Sequence, residues 1–400
     1  MTAASRDGWG AAVALDDVSG EVALVGIGES PHTGPSGRTA REIARDAIER
    51  AIVDAGLAPR DIDGLMYARS DGYTAQYFFE DFGFTPRWVS AEGGGLCWAA
   101  TCAHDAAVAL RERSATNIVN VFAVDWATRR PVMTGGPGQA HADDLVKRHL
   151  EIPFGWFPQP VYFATIANRH MAQFGTTSEQ LGAVAVACRR HANHTPGAVM
   201  HDRLLSLEQY MASPLIADPF RKEDCCLISD GGGAFVMTSV ERARDLRSPV
   251  VEVAGVGLGV ARTGNHWAQQ PDLMTTAQRF AAPDAFAMAG IRPQDVDVLA
   301  CYDPFTILSI IQIEDMGFCA KGEGGPFVAG NTLDFDSGSV PYNTHGGLLS
   351  HSYVLGIAHV LELVRQLRHD AGAQVDGAEI AVYGGYTAGR AATMVLRRAR

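Results

Sequence analysis

The sequence predicts an α/β protein made of two similar halves, and three observations carry that expectation. The phrase Ala55-Gly56-Leu57-Ala58-Pro59-Arg60-Asp61-Ile62-Asp63 recurs as Ala289-Gly290-Ile291-Arg292-Pro293-Gln294-Asp295-Val296-Asp297, each closing a helical pattern and opening a strand. The apolar run Val22-Ala23-Leu24-Val25-Gly26-Ile27-Gly28 is repeated as Val250-Val251-Glu252-Val253-Ala254-Gly255-Val256-Gly257. Asn117-Ile118-Val119-Asn120-Val121-Phe122-Ala123-Val124 is answered by Ala378-Glu379-Ile380-Ala381-Val382-Tyr383. Near-continuous apolar strands separated by helices belong to sheets buried on both faces, so each half is expected to hold a parallel-rich sheet.

In order along the chain, residues 1–20 are mixed and suggest a loose N-terminal extension. The run ending at Gly28 is the first buried strand. Ile43, Ala44, Ala47, Ile48, Ala51 and Ile52 recur at three- and four-residue spacing, predicting a helix over 40–55 that stops at Gly56. A strand follows from Asp61 to Tyr67. Gly93-Gly94-Gly95 leads into an alanine-rich helix over 96–111, paralleled by Gly346-Gly347 ahead of a helix around 354–368. The halves divide near residue 248, giving 1–248 and 249–400. Residues about 126–215 have no counterpart in the second half. This insertion holds a Gly/Pro/His loop from Gly135 to His141, an aromatic stretch from Phe154 to Phe163, and helical patterns at 164–173 and 178–192. A lid over a rigid scaffold is the natural job for it, with Phe154, Trp156, Phe157 and Tyr162 lining a substrate pocket.

Composition removes whole classes of function. With 400 residues, 47% hydrophobic and a net charge of -12, the chain has ample core and no basic footprint for nucleic acid. Its seven cysteines are odd in number, include the adjacent pair Cys225-Cys226, and lack CxxC spacing. Reduced thiols in a cytoplasmic protein are expected, with the pair buried and structural. No signal-type h-region and no apolar run of about eighteen residues occurs, so no membrane span is expected. Gly26-Ile27-Gly28 lacks the third glycine of a dinucleotide fingerprint, and no P-loop, GxSxG elbow or HExxH appears. His191 and His194 are expected to face solvent, and neither a metal nor a cofactor is expected.

Several pieces then converge on a known family: Tyr210-Met211-Ala212-Ser213-Pro214-Leu215-Ile216-Ala217-Asp218-Pro219, Ser229-Asp230-Gly231-Gly232-Gly233-Ala234, Tyr302-Asp303-Pro304-Phe305-Thr306, Gly317-Phe318-Cys319-Ala320-Lys321-Gly322-Glu323-Gly324-Gly325, and Asn343-Thr344-His345-Gly346-Gly347-Leu348-Leu349. The chain from about 21 to 399 resembles the thiolase superfamily, and more narrowly its sterol-carrier-protein thiolase-like branch. That resemblance implies two duplicated βαβαβαββ halves in a five-layered αβαβα arrangement, and a homodimer.

The departures from the thiolase pattern are what point to the chemistry. By the resemblance, the nucleophilic cysteine of a thiolase falls on Gly93 or Gly94, its NEAF-like asparagine on Tyr302, its catalytic histidine on Tyr353, and its second cysteine near Val382 or Tyr383. Claisen chemistry through an acyl-enzyme needs a thiolate and a base, and here every member of that set is replaced. Retro-aldol cleavage of a β-hydroxyacyl-CoA needs no thiolate, only a base for the β-hydroxyl proton, stabilisation of a thioester enolate and an acid for the carbanion carbon. The pair Tyr302 and Tyr353 resembles the acid/base tyrosines of steroid side-chain-cleaving aldolases in the same branch, with Tyr353 as base and Tyr302 as proton donor, or the reverse. A neighbouring donor has to help a phenol act as base, and His345 and His351 are nearest in sequence. Gly346, Gly347, Gly93 and Gly94 either turn amides toward the thioester oxygen or only permit tight turns.

The expected activity is therefore cleavage of a steroid side-chain CoA thioester into propionyl-CoA or acetyl-CoA and a carbonyl product, with CoA only as part of the substrate. The alternatives are an acyl-CoA acyltransferase using Cys97, which lies one turn from the thiolase cysteine position, and a non-catalytic thiolase-like subunit. Resemblance to the aldolases also implies a separate OB-fold and zinc-ribbon partner protein that handles acyl-CoA.

Overall fold

The computed structural model describes residues 7–68, 73–83, 85–133, 145–156, 158–263 and 269–399. The predicted loop Gly135 to His141 and Phe157 lie outside the described residues.

The strands are β1 (Gly10–Val13), β2 (Val22–Glu29), β3 (Gly64–Tyr67), β4 (Trp88–Ser90), β5 (Ile118–Asp125), β6 (Leu215–Ala217), β7 (Phe220–Arg221), β8 (Asp230–Ser239), β9 (Val251–Ala261), β10 (Val298–Cys301), β11 (Ile380–Tyr386) and β12 (Arg390–Arg398). Ten of them form one sheet in the order β10-β11-β12-β9-β2-β8-β5-β3-β4, with β1 added along β9. That order is nearly its own mirror about the β2–β9 junction. The echoed runs fall at matched places: β2 and β9 at the centre, β5 and β11 two strands out, β3 and β10 beyond them. In the second half the third strand is reduced to a single parallel bridge between Leu299 and Tyr342.

The expectation of parallel-rich sheets is corrected. Beyond that bridge, parallel pairing among the described strands is confined to β3 with β4 and β5, and to β10 with β11; the strands between are antiparallel. The cause is the last two strands of each half. β11 turns straight back into β12, and the equivalent connection, between β5 and β8, is where the first half accommodates its insertion.

Helices Trp98–Arg111 and Ile357–Arg368 form the central layer, packed on strands of both halves through Ala99, Ala103, Ala106, Leu361 and Val364. Alanines on the first of these helices let it lie close to the sheet. The outer faces are covered by Ala40–Asp54 on the first half and Gln278–Ala289 on the second. Helix Ala40–Asp54 starts in a capping box, with Thr39 Oγ accepting from the Glu42 amide and the Glu42 carboxylate from the Thr39 amide.

The N-terminal stretch is not wholly loose, as the sequence suggested. β1 pairs antiparallel with β9, and Trp9 is buried against Phe280 with ring centroids 6.1 Å apart. Gly10 makes this possible, since a Cβ there would sit 2.3 Å from the Val260 carbonyl oxygen.

The insertion folds as helices Gln159–Phe174, Ser178–His194 and Leu207–Ala212 with the β6–β7 ribbon. Phe163 and, just past the insertion, Phe220 stack on Phe305 at 4.4 and 5.5 Å, and helix Ser178–His194 packs on helices Thr306–Asp315 and Gly347–Ser350. Phe154, expected in a pocket, is 82% exposed, whereas Tyr162 is buried beneath Trp156. His191, expected to face solvent, is fully buried with Nδ1 3.4 Å from the Asn343 carbonyl; burial holds its pKa down at about 4. No helix among the described residues is long and apolar enough to cross a membrane.

Candidate active site

The site begins where β10 ends. Val298–Cys301 is fully buried, and the chain then turns through Tyr302 to Phe305 into helix Thr306–Asp315. The Tyr302 amide donates to the Gly384 carbonyl at 2.8 Å, and Gln312 Nε2 donates to the Tyr302 carbonyl at 2.7 Å, so the peptides on both sides of Tyr302 are fixed.

Asp303 ties the second loop to the first. Its fully buried carboxylate accepts from the Leu348 amide at 2.9 Å and meets His359 Nε2 at 3.0 Å. Asn343 adds a reciprocal pair, Oδ1 accepting from the Cys301 amide at 2.9 Å and Nδ2 donating to the Cys301 carbonyl at 3.0 Å. Gly347 adopts φ +61°, and a Cβ there would lie 2.1 Å from Asp303 Oδ2. Further along, the Tyr353 amide donates to Ser229 Oγ at 2.8 Å. The result is that the hydroxyls of Tyr302 and Tyr353 stand 3.1 Å apart, within hydrogen-bond reach across 51 residues of sequence.

The duplication explains where Tyr353 sits. Leu96 and Leu355 are both left-handed, at φ 54° and 51°, just before the two central helices, and the Leu96 amide donates to the Leu355 carbonyl. Two residues before each leucine stand Gly94 and Tyr353. The structural match to Gly93-Gly94-Gly95 is therefore the 352–354 segment; Gly346-Gly347 opens a separate one-turn helix, Gly347–Ser350. Left-handed leucines each carry roughly 1 kcal/mol of strain, as is common beside functional groups.

The two phenols are not alike electrostatically. Burial raises Tyr302 well above the usual phenol range, and the neighbouring Tyr353 raises it further. Burial also raises Tyr353, but its hydrogen bond with Tyr302 pulls the other way. Trp126 lies against Tyr353 at 4.9 Å between ring centroids, and Tyr386 flanks Tyr302 at 6.3 Å. Cys226 lies near the pair, its amide donating to the Pro304 carbonyl at 2.9 Å. Nothing in the sequence pointed Trp126, Cys226 or Asp303 toward the phenols; Ser229 belongs to the Ser229–Ala234 motif, but nothing there signalled that it would hold Tyr353.

The other sequence candidates fall elsewhere. His345 and His351 are fully buried but do not serve the phenols: His351 Nδ1 is 2.9 Å from Ser352 Oγ, and the His345 ring lies between those of His351 and His359, at 4.9 and 4.6 Å. Burial pushes His351 down to about 3 and His345 well below the usual range, so both are neutral. The physical reason is direction: the loop turns Tyr353 toward Tyr302 and the two histidines inward. The Gly94 amide donates to Asn120 Oδ1 at 2.7 Å, and Gly93 packs on Met66 and Asn120. Gly346 packs on Ala192. These glycines serve close packing and tight turns. Cys97 is fully buried before helix Trp98–Arg111, and burial pushes its thiol up to about 12, the opposite of a nucleophile's requirement. Tyr383 donates its hydroxyl to the Leu96 carbonyl at 2.9 Å. Among the described residues, one group able to hold a metal ion converges, Glu29 with His32 and His351.

With this geometry in view, the relatives are informative. The family model for the thiolase C-terminal domain-like segment matches residues 259–398. The 17-hydroxy-3-oxo-4-pregnene-20-carboxyl-CoA lyase of Mycobacterium tuberculosis is 35% identical over 382 residues, spanning 90% of this chain and 95% of that protein. The chain belongs to the thiolase superfamily, among its steroid side-chain-cleaving aldolases. A steroid side-chain-cleaving aldolase of Thermomonospora curvata is likewise 35% identical over 377 residues, spanning 87% of this chain and 90% of that one. The solved structure of the Ltp2-ChsH2(DUF35) aldolase matches with a TM-score of 0.88 at 31% identity, covering 96% of this chain and 99% of that chain. The protein is an enzyme of the aldolase type, a carbon–carbon lyase.

Proposed function

We propose that the protein cleaves a steroid side-chain β-hydroxyacyl-CoA by a retro-aldol reaction in which Tyr353 and Tyr302 relay one proton. The observation that carries this reading is the 3.1 Å hydroxyl pair at the positions where a thiolase has its asparagine and histidine. Tyr353 takes the proton of the β-hydroxyl. The α–β carbon bond breaks, its electrons pass into the thioester enolate, and the β-carbon becomes a ketone. In the same motion Tyr353 hands its own proton to Tyr302 through their hydrogen bond and Tyr302 gives its proton to the α-carbon, so neither oxygen ever holds two protons. The reaction takes up and releases one proton, so a neutral pair suffices and no lasting phenolate is required. Buried phenols that resist ionisation fit a relay of this kind.

The substrate class comes from the relatives. A 17-hydroxyl next to a 20-carboxyl-CoA is a β-hydroxyacyl-CoA whose α-carbon carries a methyl group, and its cleavage yields propionyl-CoA and a 17-ketone. We extend that to this chain, with acetyl-CoA as the product where the α-carbon is unbranched. A separate acyl-CoA-binding partner of the OB-fold and zinc-ribbon type is part of the proposal. The pairing of that solved aldolase with ChsH2(DUF35) supports it, as do apolar side chains left exposed on the insertion, among them Phe154, Leu204 and Leu215. A homodimer is supported by the edge strand β4, where Val89 is exposed.

The test is product identification by mass spectrometry from α-methyl and unbranched β-hydroxyacyl-CoA thioesters, with and without the candidate partner. Propionyl-CoA and a ketone in equal amounts are expected; CoA-SH release or acyl exchange without ketone would overturn the assignment. Cys97→Ala is expected to leave cleavage unchanged, and native protein is expected to resist iodoacetamide at Cys97. Loss of activity in that variant with its fold intact would instead restore acyl transfer through sulfur.

A further inference from the structure

We propose that Glu29, His32 and His351 form a site for one divalent transition-metal ion of the zinc class, joining the end of β2 to the loop that carries Tyr353. The ligating atoms of all three lie within 4.8 Å of one another. Glu29 Oε1 is 2.7 Å from His32 Nε2 and 3.8 Å from His351 Nε2. Zinc bonds of ~2.0–2.1 Å in a tetrahedron place donor atoms roughly 3.3 Å apart, a value these two separations bracket. Two imidazoles and one carboxylate are a donor set that such ions accept, with a fourth position left open.

The surroundings resemble a built site. His351 Nδ1 is fixed by Ser352 Oγ at 2.9 Å, which leaves Nε2 facing Glu29. Arg365 donates to the other oxygen of Glu29 at 2.6 Å and so orients the carboxylate. Arg365 is itself near the Glu362 carboxylate at 4.0 Å, which offsets part of its charge. The His32 and His351 side chains are only 3% and 2% exposed. His32 Nδ1 faces Gly231 and has no hydrogen-bond partner, so with Nε2 on the ion it is the nitrogen that keeps the ring proton. The ring is accommodated because residue 231 is glycine, where a Cβ would come 2.1 Å from His32 Nδ1.

An entry path exists. A pocket of about 450 Å³ opens onto the three donors, with Arg50, Pro196 and Arg365 on its walls. The guanidinium of Arg50 disfavours a bare cation but attracts an anion, so the open position is expected to take hydroxide, chloride or a carboxylate.

The test uses the full chain stripped by a chelator and titrated with Co²⁺ followed by Zn²⁺. One Co²⁺ per chain is expected, with the intense visible bands of a four- or five-coordinate ion, displacement by Zn²⁺, and a higher melting temperature with Zn²⁺ present. Glu29→Gln and His32→Asn should each weaken Co²⁺ binding at least tenfold, while His201→Ala, at an exposed histidine beside Asp202, should leave it unchanged. No stoichiometric binding by the stripped wild type would overturn the site, whatever the variants do. So would equal binding by wild type and folded Glu29→Gln, or loss in His201→Ala alone.

Discussion

Tyr302→Phe and Tyr353→Phe are each expected to lower the rate of C–C cleavage by roughly 10²–10⁴-fold, the usual worth of a positioned proton-transfer group. The substitution deletes one hydroxyl and leaves the ring. Trp126 still packs on position 353 and Tyr386 on position 302, and the backbone bonds to Ser229 and Gly384 do not involve the phenol. Folding should therefore be preserved, and KM should move far less than kcat. Because the two hydroxyls share one proton path, the double variant should be about as slow as the slower single variant rather than the product of both effects. Steady-state kinetics on a β-hydroxyacyl-CoA settles the matter, with circular dichroism to verify folding. If both single variants retain wild-type kcat, the relay is wrong.

Much of this arrangement was legible in the sequence because duplication and loop position are local signals. The echoed runs at Val22 and Val251, Asn117 and Ile380, each recur as strands at mirrored places in the sheet. Tyr302 follows a buried strand and Tyr353 precedes a helix, so both fall at loop positions that a pattern of apolar periods can mark. What was not legible depends on direction. His351 and Tyr353 are two residues apart, yet one faces Glu29 and the other faces Tyr302. Cys97 sits one residue before a helix, as a reactive thiolate would, but the fold closes over it. Proximity in sequence says nothing about which side of a tight loop each side chain leaves from.

The pairing of strands shows the same limit. Apolar runs without alternation mark burial on both faces but do not give strand direction. The antiparallel β8 and β12 carry as complete a burial as the parallel β3 and β10. β1 was missed for a different reason. Gly10-Ala11-Ala12-Val13 is too short and too weakly branched to signal a strand, and it pairs only because β9 offers a free edge along its outer end.

Asp303 is the residue whose loss is expected to be most damaging to the fold of the site. Asp303→Ala should destabilise the protein by about 3–5 kcal/mol, the range for breaking a buried pair by removing one partner. The carboxylate is fully buried, and its removal strands the Leu348 amide and the Nε2 of an equally buried His359. It also removes the wall against which Gly347 turns. The Asn343 bonds to Cys301 survive, so the strand end should persist while the 346–353 loop loosens and carries Tyr353 away from Tyr302. Asp303→Asn should be milder, because an amide oxygen can still accept from Leu348 and its NH2 can donate to His359 in the other tautomer. Gly347→Ala should resemble Asp303→Ala, since a Cβ 2.1 Å from Oδ2 forces the same loop off the same anchor at a backbone angle alanine disfavours. Urea denaturation and C–C cleavage, measured on all three, separate the possibilities. Were Asp303→Ala to shift stability by less than about 1 kcal/mol, the loop would have to be held by something other than this carboxylate, and the account of how the two phenols meet would fail with it.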